Sequence, residues 1–330
     1  MMEMKHSASN VKRPAARGTR EKNMYIKKLT WKEDMRKNGI LYVIFIPVLV
    51  WLVCFHYAPM FGILMAFEDY SITQGVFGSA WVGMQNFVDL FTGTGFALAF
   101  RNTVAMAILS LTLGFFPTIL FALVLTSFPH KRMKRGFQLL SYLPNFVSAV
   151  VMCSLATEFL SEKGAITQFI SLFGSEAQNW LANPDIPVFW VIYTLIGVWQ
   201  GMGWGSIIYV TSINNVNGEL HEAAALDGAN RLQRVLHVTL PAVTPLIIMM
   251  WTMAIGMVFK TVGTNILLLY MPITYDVADV LSTYTYRMSF GSTANYGLST
   301  ASGLFQSVLG MILLIVSNKL GKKASGASLF

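Results

Sequence analysis

Charge and cysteine are both scarce in this chain. Of its 330 residues 12% are Asp, Glu, Lys or Arg and 54% are hydrophobic, where an ordinary soluble domain is about a quarter charged. That balance excludes a soluble globular fold and leaves a membrane protein. The two cysteines, Cys54 and Cys153, both fall inside apolar runs. They exclude a disulfide framework or a cysteine-built metal site and read as reduced, buried small hydrophobes. No G-x-x-x-x-G-K-[ST] loop occurs, so the chain does not itself hydrolyse ATP by that mechanism. The five histidines, His6, His56, His130, His221 and His237, do not pair with carboxylates or cysteines at metal-ligand spacing. His221-Glu222 opens like H-E-x-x-H, but Ala225 stands at the second ligand position. No catalytic residue and no metal ligand follow, so the chain is not read as an enzyme.

Long apolar runs are what the sequence has instead. Six of them, at about 40–67, 98–126, 137–160, 187–213, 242–268 and 298–318, reach the roughly 20 residues that a helix needs to cross the hydrocarbon. The runs are continuous rather than alternating, which predicts helices and not barrel strands. Residues 1–37 hold 11 Lys/Arg against 4 acids. The 127–136 loop holds Lys131, Arg132, Lys134 and Arg135, the 214–241 loop Arg231 and Arg234, and the tail Lys319, Lys322 and Lys323. Alternate loops are acidic, with Glu68, Asp69, Asp89, Glu162, Glu176, Asp185, Asp276 and Asp279. An all-α polytopic protein with six spans and both termini cytoplasmic follows from this pattern. The formal charge of +8 is then topology and attraction to anionic lipid rather than nucleic-acid binding.

Residues 1–38 form a basic cytoplasmic tail, too long and lacking the cleavage site of a signal peptide. Within it, Tyr25, Ile26, Leu29, Trp31 and Met35 alternate with cations, the composition of a helix lying on the inner surface; residues 1–22 read equally as a disordered basic tail. The six-span domain covers 39–320 and a short cytoplasmic tail 321–330. Glu158 and Lys260 lie within or near the ends of spans. Ion-coupled secondary sugar carriers, the alternative class, ordinarily place ionisable relays deeper.

The most polar internal stretch is "GELHEAAALDGANRLQRVLHVTLP", residues 218–241. Asn217 or Gly218 starts a short helix, Asp227-Gly228 ends it, and Leu232, Val235, Leu236 and Leu240 mark a second helix before Pro241 and Pro245 open the fifth span. A helix of about eight residues is marginal in water and needs a docking surface. That surface is either the chain's own spans or a partner groove.

The stretch resembles the EAA loop of the membrane subunits of binding-protein-dependent ABC importers. Glu222, Ala223, Ala224, Asp227, Gly228, Ala229, Leu240 and Pro241 fall in register with that family's E-A-A, D-G and L-P pattern. The likeness extends over "HYAPMFGILMAFEDY" (56–70), "RNTVAMAILSLTLGF" (101–115), "KRGFQLLSYLPNFVS" (134–148), "YDVADVLSTYTYRM" (275–288) and "STASGLFQSVLGMILLIVSNKL" (299–320). These are similar to the polysaccharide-permease branch of the maltose-type carbohydrate family, which includes alginate importers. The resemblance implies a type I ABC importer permease fold in the bacterial inner membrane, with residues 219–237 as coupling helices. It also implies the partners: a second six-span permease, two ABC ATPase subunits that bind ATP and Mg, and an extracytoplasmic solute-binding protein delivering oligo- or polysaccharide. The chain itself carries no cofactor.

For the substrate pathway, "GVWQGMGWGSIIY" (197–209) places Trp199, Gln200, Gly201 and Trp204 on the fourth span. Aromatic faces with hydrogen-bonding groups suit a glycan, and these positions align with sugar-contacting positions of the maltose-type permease. Ordinary helix packing is the alternative. Tyr193, Asn145 and Tyr270 are further polar or aromatic candidates. Lys260 is expected near the outer interface, either snorkelling to headgroups or, as its approximate alignment with a sugar-contacting position implies, facing the pathway and pairing with an acidic sugar.

Overall fold

The computed structural model describes residues 30–329 apart from Pro187, Thr264, Thr293, Ala327 and Ser328. The expectations for residues 1–29, including Tyr25, Ile26 and Leu29, lie outside the described residues. The chain divides into two units, one ending at Pro59 and one beginning at Met60.

The first unit carries α1 (Trp31–Leu52), followed by a π-helical turn, Val53–Tyr57. Glu33 Oε2 accepts from the Thr30 N–H at 3.0 Å, closing the helix start. At Asn38 the backbone leaves helical geometry (φ −115°, ψ 18°). Before this kink α1 has seven residues, 31–37. Its Asp34 accepts from Asn38 Nδ2 at 2.6 Å and from the Tyr42 hydroxyl. Trp31 and Met35 are exposed on it, and no residue of α1 is buried.

The 3-10 stretch Ala58–Phe67, whose first two residues belong to the first unit, leads in the second to a two-stranded hairpin, β1 (Glu68–Asp69) against β2 (Ala80–Trp81), pairing Glu68 with Trp81 and Asp69 with Ala80. Then follow α2 (Gln85–Thr92), α3 (Thr94–Leu109), a π turn at Ser110–Gly114 and α4 (Phe115–Thr126). Next come α5 (Lys131–Tyr142), α6 (Ala149–Phe159), α7 (Ala165–Ser171), α8 (Val188–Asn214), α9 (Gly218–Leu226) and α10 (Arg231–Arg234). The remaining helices are α11 (Leu240–Thr261), α12 (Ile266–Leu269), α13 (Tyr275–Ala278), α14 (Leu281–Phe290) and α15 (Tyr296–Ser325). Among the described residues five helical stretches are long and apolar enough to cross a membrane, Trp31–Phe67, Thr94–Thr126, Val188–Asn214, Arg231–Lys260 and Tyr296–Lys323, and a bent pair, Lys131–Phe146 with Ala149–Phe159, makes a sixth if it is one broken span.

Three sequence expectations are corrected. The run at 137–160 is not one straight span: Lys131–Phe146 and Ala149–Phe159 meet at 99°. Pro144 tightens the chain into a 3-10 turn, Val147 is extended, and Ser148 starts a new helix by accepting from the Val151 N–H. The fifth span stops at Thr261 rather than near 268, because Val262 is extended and Gly263 takes φ +102°. A side chain at Gly263 would also run into Ser282 and Val280. Finally, α15 continues through the expected tail boundary to Ser325, where Gly326 (φ +72°) caps it.

The larger core joins α3, α8, the end of α11 and α12–α15 around Phe96, Met106, Phe189, Ile266, Val280 and Leu281; a smaller one packs Ile119, Ala122 and Leu125 of α4 against Tyr209 and Val210 of α8. In lipid, such contacts depend on close backbone approach rather than on water exclusion. Gly203 is the tightest case: a Cβ there would collide with the Ser141 backbone of α5. Gly203→Ala is therefore expected to cost about 1–3 kcal/mol and to lower the midpoint of thermal unfolding in detergent. An unchanged midpoint would show that α5 is free to shift away.

Candidate functional site

The 215–240 loop is built by local capping. Asn217 Oδ1 accepts from the Glu219 N–H at 3.0 Å and starts α9. Glu219 in the first turn complements the helix dipole. At the other end the Gly228 N–H bonds to Ala225 O at 3.1 Å and the Ala229 N–H to Ala224 O at 2.9 Å, a closure that needs the left-handed φ of +82° at Gly228. Asn230 and Gln233 cap each other reciprocally at 2.8 and 2.9 Å to start α10. The second helix of this loop is not separate: α10 passes through a π turn, Val235–Thr239, straight into α11.

What this arrangement presents outward is specific. Glu222, Ala223, Asp227 and Gly228 are exposed, whereas Ala224 and Ala229 are half-buried against the loop. Leu226 is 90% exposed and Leu232 67%. Nothing stands within 4 Å of where a Gly228 side chain would begin. α9 thus hangs between two membrane helices, α8 and α11, with an apolar tip uncovered.

Those same two helices line a groove of about 1130 Å³. Its wall is made by Ser110 and Gly114 of the π turn, Thr118, the α8 face from Tyr193 to Ser212, and Leu246, Met250, Ala254, Met257 and Val258 of α11. From Tyr193 to Ser212 is about 28 Å at 1.5 Å per residue, close to the hydrocarbon thickness of roughly 30 Å. Gly197, Gly201 and Gly205 leave room along α8, and Trp204 contributes a ring that meets Phe146 edge-on at 5.7 Å. No Lys, Arg, His, Asp or Glu is among the described lining residues. Asn265 and Leu269, beyond the end of α11 that lies away from α9, also belong to the lining.

The groove brings together Gly201, Trp204 and Tyr193 of the residues singled out in the sequence. Trp199 and Gln200 lie beside it: Trp199 is exposed, and Gln200 Nε2 donates to Val147 O at 3.2 Å, bracing the α5–α6 break. Asn145 is half-buried in that break. Lys260 is exposed in the last turn of α11, just past Met257 and Val258, and is not part of the lining. Tyr270 stands in a second cluster, its ring 4.8 Å from Tyr275. There Arg287 pairs with the buried Asp279 at 2.5 Å, Thr283 donates to the other Asp279 oxygen at 2.6 Å, and the guanidinium lies over Tyr275 and Tyr284. The hydrogen bond to Asp279 pushes the Arg287 pKa up from its ordinary value, while burial opposes.

Sequence reasoning passed over Asn102, which is fully buried and bonds to two carbonyl oxygens of the 276–279 segment. Adjacent Arg101-Asn102 inside an apolar run was the available signal. Among the described residues no group of three or more His, Cys, Asp or Glu could hold a metal ion.

Residues 114–325 match the family described as binding-protein-dependent transport system inner membrane component. Over 284 residues the chain is 36% identical to the polygalacturonan/rhamnogalacturonan transport system permease protein YteP of Bacillus subtilis (strain 168), covering 86% of this chain and 88% of that protein. Over 305 residues it is 34% identical to the protein LplB of the same organism, covering 92% and 95%. Its fold superimposes with a TM-score of 0.83 on a chain of a bacterial alginate ABC transporter solved in complex with alginate pentasaccharide-bound periplasmic protein. The two chains are 33% identical, over 91% of this chain and 99% of that one. With a free helix between two spans, a groove along those spans and these likenesses, the chain belongs to the inner-membrane components of binding-protein-dependent transport systems, as a multi-pass bacterial permease of the type I ABC importer fold.

Proposed function

We propose that this chain is one of two six-span permease subunits of an ATP-driven importer for oligo- or polysaccharide, of the acidic, alginate-like class. Both termini face the cytoplasm, and two partner ATPase subunits bind ATP and Mg. A substrate-binding protein delivers the glycan on the opposite face. The observation that carries this reading is the position of α9: exposed, apolar at Leu226, and strung between the two helices that line the groove. Displacing α9 displaces α8 and α11 together, so closure of the ATPase pair would reach the groove as a rigid-body movement of its walls. Alternating access follows from that lever. Trp204, Tyr193 and Gly201 offer the ring faces and open backbone that a pyranose needs, and Trp199, Gln200, Asn145, Tyr270 and Lys260 border the same pathway.

The test is reconstitution of this chain with its partner permease and ATPase subunits in proteoliposomes. Uptake should require ATP and the loaded binding protein, and should persist when proton and sodium gradients are collapsed. Uptake that follows an ion gradient without ATP would replace this reading by that of a secondary carrier. Orientation is checked by cysteine labelling in intact cells. Reporters at Asp89, Glu176 and Ile273, all exposed, should react from outside, and those at Lys134 and Arg231 should not. Outside labelling of Arg231→Cys would invert the topology.

A further inference from the structure

The segment between α11 and α14 is held by side chains that come from two other spans. Asn102 Nδ2 on α3 donates to Asp276 O at 3.1 Å and to Asp279 O at 2.8 Å. Its neighbour Arg101 donates to the same Asp276 O at 2.7 Å, and Thr103 accepts from the Leu281 N–H at 2.8 Å. From α8, Trp190 Nε1 donates to Val277 O at 2.6 Å, and the Tyr193 hydroxyl accepts from the Gly263 N–H at 3.1 Å. Asn102 and Thr103 are fully buried. Buried amides and hydroxyls in an apolar surround are costly unless paired. Here the Asn102 amide and the Trp190 indole N–H pair with the backbone of one short segment, while Thr103 also donates to Ala99 O and Arg101 to Asn102 Oδ1 within α3.

That segment is also the end of the groove. Asn265 and Leu269 belong to its lining, and the segment lies at the opposite end of α11 from the α9 loop. α12 and α13 have four residues each, too short to hold a position by their own hydrogen bonds. α13 is placed by the side chains that reach it from α3 and α8, and the residues just before α12 by Tyr193 and by Cys153 of α6, whose Sγ donates to Asn265 O at 3.9 Å.

We propose that Asn102 and Trp190 are positioning residues for transport, fixing the 265–279 segment as a rigid end wall against which incoming substrate is seated. This rests on the importer reading given above. With the pins in place, the end wall moves with α3 and α8 as one body. Without them, the carbonyls of Asp276, Val277 and Asp279 turn to other donors, and Leu269, 2% exposed, opens to solvent.

The experiment uses the reconstituted complex with binding protein loaded with alginate oligosaccharide as the probe. Trp190→Phe removes only the indole N–H, and Asn102→Asp removes the amide donor at constant size. Each should raise the half-saturation for stimulation of ATP hydrolysis about fivefold or more, with a much smaller change in the maximal rate. In parallel, Leu269→Cys in a Cys54→Ala, Cys153→Ala background reports the wall itself through an aqueous maleimide, independently of any sugar. Labelling should accelerate by a similar factor in Trp190→Phe. Thr126→Val, which removes a comparable hydrogen bond inside α4, should change neither readout. Unchanged labelling and unchanged half-saturation in Trp190→Phe overturn the proposal, as does an equal change in Thr126→Val. A wild-type complex that ignores the alginate probe counts against the substrate class only, since the maleimide readout still decides the role of the wall.

Discussion

Gly228→Trp is expected to leave the chain inserted and paired with its partner permease while abolishing substrate-stimulated ATP hydrolysis. The reason has two parts of different size. At φ +82° any side chain carries a backbone penalty, about 1–2 kcal/mol for an L-residue in the left-handed region. That alone would loosen the α9 cap without unfolding the spans, since nothing within 4 Å opposes a Cβ. The larger part is steric and external. The open space at Gly228, beside Leu226 at 90% exposure, is where an ATPase cleft would close, and an indole there holds the two surfaces apart. Gly228→Ala should therefore retain most of the stimulation and Gly228→Trp essentially none. Glu222, exposed on the same helix, is expected to meet a cation of the ATPase, so Glu222→Gln should weaken docking without affecting insertion. Normal stimulation in Gly228→Trp would remove this glycine from the coupling surface.

The loop was legible because its signals are local. Asn217 and the Asp227-Gly228 turn each specify one turn of backbone, and a turn can be read from its own residues. Five of the six apolar runs were legible as long helices because hydropathy integrates over about 20 residues. The same integration hid the two breaks. Pro144 and Ser148 sit within an apolar run and barely lower its mean. Beyond Gly263 the residues Ile266–Leu269 are as apolar as the helix before them, so hydropathy carried the fifth span too far. The direction a residue faces was least legible. Trp199, Gln200, Gly201 and Trp204 lie within two turns of α8, yet the groove takes only Gly201 and Trp204. That choice is set by where α4 and α11 lie, which no property of the α8 sequence states. Asn102 was missed for the related reason that its partners are backbone carbonyls more than 170 positions away.

Lys260→Met should weaken uptake of an acidic oligosaccharide far more than it alters basal ATP hydrolysis, and Lys260→Arg should retain much of the transport. Lys260 sits in the last turn of α11, where a cation complements the helix dipole, and it makes no ion pair with a described residue. It is offset by roughly 60° around the helix from Met257 of the groove lining, at 3.6 residues per turn, so it borders the groove at the end farthest from α9. The groove beyond it holds no ionisable lining residue other than tyrosine. A uronate entering there finds its nearest cation from α11 at this rim, before a stretch that offers only aromatic faces, hydroxyls and amides. One charge-assisted hydrogen bond at a partly desolvated position is worth about 1.5–3 kcal/mol, roughly a tenfold to hundredfold rise in half-saturation when it is lost. Arginine restores charge and donors together, and its fork suits a carboxylate at least as well. The discriminating measurement pairs the native glycan with its carboxyl-reduced form. The Met variant should lose selectivity between them, because the reduced sugar never used the ammonium. If the Met variant carries the acidic glycan with wild-type half-saturation, Lys260 is an interfacial anchor that snorkels to headgroups, and the acidic class must then be read by the partner permease or the binding protein.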